Sequence, residues 1–88
     1  MFVVAPAVLN AQAITGKVTD VTGAPLAAVS VTVEGAAVGA QTRDDGTYRI
    51  TGAPVGAHVV VARRVGYAAS RQAVTVGSGD LTVNFQLT

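Results

Sequence analysis

From Ile14 to Thr88 apolar and polar residues alternate with a period of two, and Gly, Pro or Asp breaks the pattern roughly every 8 to 12 residues. A helix would need a period near 3.6. The alternation instead predicts strands over 14–20, 29–34, 38–42, 47–51, 58–64, 71–76 and 81–87. Six of the seven contribute to one apolar face: Ile14, Gly16 and Val18; Val29, Val31 and Val33; Tyr48 and Ile50; Val60 and Ala62; Val74 and Val76; Leu81, Val83, Phe85 and Leu87. Seven short strands with helix-free connections predict an all-β fold, a seven-stranded antiparallel β-sandwich with Greek-key or prealbumin-like, immunoglobulin-like connections.

The stretch 42–56 shows the logic in one turn–strand–turn unit. Asp45-Gly46 supplies the positive φ of a tight hairpin, and Tyr48 and Ile50 then alternate with Thr47, Arg49 and Thr51 as in a half-buried strand. Gly52 to Gly56 closes the unit, with Pro54 as a rigid corner. In the run Asp20-Val21-Thr22-Gly23-Ala24-Pro25-Leu26 the Asp20 carboxylate is expected to cap the turn, Pro25 to fix its exit and Leu26 to plug one end of the sandwich. Gly77-Ser78-Gly79-Asp80 is expected to join the last two strands as a hairpin.

At 88 residues the chain forms one domain, which buries roughly 60–65% of its unfolded surface. Half of the residues are apolar but only two Tyr and two Phe are aromatic, so the core must be built from Val, Ala, Leu and Ile. A net charge of +1 creates no field for nucleic acid or an anionic membrane. Arg63 and Arg64 are adjacent, and neighbouring strand residues point to opposite faces. With no cysteine, disulfides, thiol catalysis and the usual structural zinc sites are excluded. No apolar run approaches the ~20 residues of a transmembrane helix.

Candidate chemistry is sparse. Asp44-Asp45-Gly46 lacks the alternate ligands and the distal Glu of a calcium loop, and reads as a hairpin turn. His58 is the single histidine and reads as packed or partly exposed, and no serine lies in a Gly-x-Ser-x-Gly elbow. No catalytic, metal-ligating or cofactor-binding residue is predicted. Tyr67 reads as an aromatic closing the end of the sandwich with its hydroxyl on backbone; a small-ligand or glycan face formed with Arg64 is the alternative. Arg63, Arg64 and Arg71 are read as solvated charges that guard a sheet against edge aggregation.

Residues 1–13 stand apart from the domain at 14–88. They are uncharged and end in Ala11-Gln12-Ala13. An apolar run before an Ala-x-Ala site reads as the tail of an export leader, which predicts a periplasmic, outer-membrane-associated or extracellular protein. No basic residue precedes the run and Pro6 interrupts it, so a second reading stands beside the first. In that reading Val3, Val4, Val8, Leu9, Ala11 and Ala13 belong to an arm that adds a strand to a neighbouring subunit, head to tail. Protein partners, copies of the chain itself among them, are therefore the expected class.

Ile14-Thr-Gly-Lys-Val-Thr-Asp20, Gly23-Ala-Pro-Leu26, Asp45-Gly-Thr-Tyr48, Gly66-Tyr67 and the closing Asn84-Phe-Gln-Leu87 together resemble the carboxypeptidase regulatory-like domain family. Their order is most similar to the small N-terminal domain of TonB-dependent outer-membrane receptors of the Bacteroidetes nutrient-uptake type. The resemblance implies a prealbumin-like sandwich and an accessory, non-catalytic role, and carries over no catalytic residue.

Overall fold

The computed structural model describes residues 13–77 and 79–88, and among them there is no helix. The eight strands are β1 (Ala13–Asp20), β2 (Ser30–Val33), β3 (Gly39–Gln41), β4 (Thr47–Thr51), β5 (Gly56–Arg63), β6 (Ser70–Val76), β7 (Leu81–Thr82) and β8 (Phe85–Leu87). They form two sheets. In sheet I, β1 lies between β4 on one side and β7 with β8 on the other; sheet II has the order β3-β2-β5-β6. The all-β sandwich expected from the alternation is thus the fold.

Its core lies between the sheets and draws on both. Ile14, Val18, Val29, Val31, Val33, Tyr48, Ile50, Val60, Ala62, Val76, Val83, Phe85 and Leu87 are buried in one cluster, with Leu26 and Ala53 closing it. Val74 and Leu81 are half-buried against it. Thr42 is the buried polar residue of the described chain, and its hydroxyl is satisfied twice: it accepts from Val29 N–H at 2.9 Å and donates to Leu26 C=O at 2.6 Å.

Three expectations are corrected. The turn at Asp44-Asp45-Gly46 does not close a hairpin, because β3 pairs with β2 in sheet II whereas β4 pairs with β1 in sheet I. Gly77 to Asp80 does not form a hairpin, because β6 pairs with β5 in sheet II whereas β7 pairs with β1 in sheet I; the connection crosses between the sheets. The final strands also run parallel to β1, from Ile14↔Leu81 to Asp20↔Leu87, so sheet I is mixed rather than antiparallel.

The expected strand 81–87 is one line in constant register, interrupted at Val83-Asn84, and the cause is a side chain. In a parallel ladder that already contains Val83 N–H on Thr15 C=O, Lys17 N–H would next donate to Val83 C=O. Tyr48 takes that carbonyl with its buried hydroxyl. Asn84 compensates by offering its side-chain oxygen to Lys17 N–H at 2.9 Å. Gly16, the cross-strand partner of Tyr48, makes this possible. A Cβ at position 16 would lie 1.8 Å from Val83 O and 3.0 Å from Tyr48 Cε2, so a bare backbone is required for the tyrosine to reach across β1.

Candidate interaction surface

β5 decides the geometry of sheet II. Its inward residues Val60 and Ala62 join the core, so Ala57, Val59, Val61 and Arg63 point to the outer face. β6 covers its whole length, from Gly56↔Val76 to Ala62↔Ser70. β2 covers only half of it, Val60 to Arg63. One further bond, Glu34 N–H to Val59 C=O at 2.8 Å, ends the ladder, and Gly35 then turns the chain away with a φ of 81°. Antiparallel pairing alternates, so Ala57 and Val59 aim their backbone groups at the side that β2 has left. Among the described residues, Ala57 N–H, Ala57 C=O and Val59 N–H have no partner.

This notch opens onto a shallow groove of about 550 Å³ lined by Glu34, Gly35, Ala57, His58, Val59, Ala73, Val74 and Thr75. Its walls are mainly small or apolar. Deeper along the same face Val61 is buried between Thr32 and Arg71, its partners on β2 and β6, although it lies outside the core cluster. The alternation places Val61 on the solvent face and gives no sign of its burial; cross-strand registry is what covers it. Arg71 pairs with Glu34 at 3.5 Å, spanning β5, in an exposed contact of small energetic weight.

The other singled-out residues lie elsewhere. Arg64 places its guanidinium 5.6 Å from the centre of the Tyr67 ring, which packs half-buried against the core. The tyrosine hydroxyl found on a backbone carbonyl is that of Tyr48, and burial pushes its pKa well above the ordinary value of 10.0. His58 is half-buried at the groove. Ala13 is the first residue of β1, buried opposite Thr51, with its N–H on Asp80 Oδ1 at 3.1 Å. Val3, Val4, Val8, Leu9 and Ala11 lie outside the described residues.

Two Asp-x-Thr turns meet at the opposite end of the sandwich. Asp20 Oδ1 accepts from Thr22 Oγ1 at 2.6 Å, from Thr22 N–H at 2.8 Å and from Ala24 N–H at 3.1 Å. Asp45 Oδ1 accepts from Thr47 Oγ1 at 2.6 Å and Thr47 N–H at 3.0 Å. These bonds, the threonine hydroxyls foremost, hold both carboxyls below their ordinary pKa. The carboxylates cap turns, as the Asp20 reading expects. Gly46 has a φ of 81° and sits where a Cβ would be 2.7 Å from Val18 O, so this turn glycine also admits close packing of the two turns. Among the described residues no three His, Cys, Asp or Glu side chains cluster as a metal site would require.

The sequence profile of the carboxypeptidase regulatory-like domain matches residues 13–88. No curated protein sequence matches the chain. Among solved structures, a chain of an N-terminal interface mutant of the type II cohesin–X–dockerin complex from Acetivibrio cellulolyticus superposes with a TM-score of 0.74 at 18% identity, covering 86% of this chain and 56% of that one. BcpA, the major pilin subunit of Bacillus cereus, gives 0.68 at 11% identity, over 89% of this chain and 29% of the pilin. The Bacillus anthracis TIE protein gives 0.60 at 16%, over 88% and 16%. The chain therefore spans about half or less of each of these proteins, and at such identities the likeness is one of fold.

Proposed function

The chain belongs to the carboxypeptidase regulatory-like domain family, and from that premise we propose that it is a non-catalytic module that binds other proteins at a bacterial envelope or outside the cell. One observation carries the reading: sheet II presents a face of small side chains beside a stretch of unpaired strand backbone, a surface suited to another polypeptide. Two structures of like fold are a cohesin–X–dockerin complex and a major pilin subunit, proteins of complexes and pili. The leader-like residues 1–13 support export. A photo-crosslinking residue in place of the exposed Ala73 tests the reading in the native cell. A discrete covalent protein adduct is expected; none under any growth condition would overturn it.

In its narrower form the proposal makes this the N-terminal accessory domain of a TonB-dependent receptor, as the order of its motifs implies. A reading frame that continues past Thr88 into a plug and barrel is the expected result, and a stop codon there removes the receptor role. A second reading, a filament subunit that donates its N-terminal strand to the next copy, draws on the open edge of β5 and the likeness to a pilin fold. Light scattering of the purified chain tests it, with growing assemblies expected. The glycan reading at Tyr67 has least support, since Arg64 already stacks on the ring.

A further inference from the structure

The notch on β5 and the point where the chain enters β1 lie at the same end of the sandwich. Ala13 stands opposite Thr51, and only residues 52–55 separate Thr51 from Gly56, the first residue of the notch. β3 abuts β4 along one side of the sandwich and β6 abuts β8 along the other, so β1 lies across from the β2–β5 pair. Whatever precedes Ala13 therefore starts directly over the vacant end of the β2 line, one inter-sheet distance of roughly 10 Å away.

The preceding sequence has the composition to use that position. Pro6 and Asn10 bracket the apolar run Ala7-Val8-Leu9, which is as short as the unpaired stretch of β5. Asn10-Ala11-Gln12, three residues at ~3.3 Å each, just span the gap between the sheets. The segment is uncharged, and the groove is lined mainly by small and apolar groups.

We propose that Ala7-Val8-Leu9 of the same chain docks in the notch antiparallel to β5, with Val8 opposite Ala57, and so continues the line of β2. In this register Val8 exchanges two backbone hydrogen bonds with Ala57. Leu9 then faces Gly56, which leaves room for it, and the small Ala7 faces the larger His58. Docking within one chain is favoured over exchange between copies because the short connection holds the segment at high effective concentration. Such an arrangement counts against the filament reading and makes the segment a plug on one edge of the module; it rests on the reading of this sheet as a polypeptide-binding surface.

The chain has no cysteine, so a Val8→Cys/Ala57→Cys variant of the full chain reports on this pair alone. A hydrogen-bonded antiparallel pair places its Cα atoms about 5.5 Å apart, inside the range a disulfide bridges. The expected result is a disulfide within monomers on mild oxidation, absent from a Val8→Cys/Arg49→Cys control. In the unsubstituted chain the Ala57 amide should exchange with solvent about tenfold or more slowly than in Val8→Pro, at every protein concentration. A disulfide found only in dimers, equal Ala57 exchange in the two chains, or natural material lacking residues 7–9 would overturn the proposal. None of these results bears on capture of a partner at Ala73, which tests the broader reading separately.

Discussion

Two strands of this sandwich run past a gap in their hydrogen-bonded ladder, and the gaps are treated in opposite ways. On β1 the ladder breaks at Lys17, and the chain closes it from within: the Tyr48 hydroxyl donates to Val83 C=O and Asn84 Oδ1 accepts from Lys17 N–H. On β5 the ladder toward β2 stops at Val59, and the groups around the opening, Gly35, Ala57 and Ala73, have no side chain that reaches it. The first gap lies against the core, where an unmatched carbonyl would be costly. The second lies at the surface, where water or another backbone can match it. Stability should concentrate at the closed gap and recognition at the open one.

The largest test of that contrast is Phe85→Ala. Phe85 is buried beside the closed gap, with its ring 6.4 Å from that of Tyr48, and its truncation should cost about 3–5 kcal/mol in urea unfolding. For a domain with stability on the order of 5 kcal/mol this approaches complete unfolding. A loss below about 1 kcal/mol would show that the last strand is peripheral. Gly16→Ala should follow, at or above the top of the ~1–3 kcal/mol range for overpacking, since the added methyl collides with backbone. A neutral result would mean that Tyr48 and Val83 are not locked together across β1.

Tyr48→Phe should cost about 1–3 kcal/mol by leaving Val83 C=O unmatched. It also predicts a pH effect. Burial raises the Tyr48 pKa in the fold, so above pH 10 the unfolded chain loses this proton first, and stability falls as pH rises. Unfolding curves of the Phe variant should lack that part of the alkaline loss; identical slopes in both proteins would remove Tyr48 as its source. The smallest effect belongs to the open gap. Ala57 is exposed, so Ala57→Lys should change stability by no more than about 0.5 kcal/mol. A large loss would make the β5 edge part of the fold's own support and erase the contrast.

Much of this was legible in the residues. Period-two alternation identified the core positions on every long strand, and Asp20 and Gly46 announced their turns through local chemistry. These features depend on a residue and its near neighbours. The join after Val76 was misread because Gly-Ser-Gly-Asp permits a hairpin and a crossover alike, and only pairing with β1 decides between them. Val61 escaped notice because the residues that cover it, Thr32 and Arg71, come from strands far apart in the chain.

The amino-acid order by itself determined that this chain forms strands, which side of each is apolar and where most of the turns fall, because all of these follow from side-chain period and turn propensity. Tertiary structure alone decided that the last strand runs parallel to β1, that Gly16 is bare so that Tyr48 can cross it, and that β2 stops short of the end of β5. Those outcomes depend on which backbone groups find partners across distant segments, a competition that no local pattern encodes.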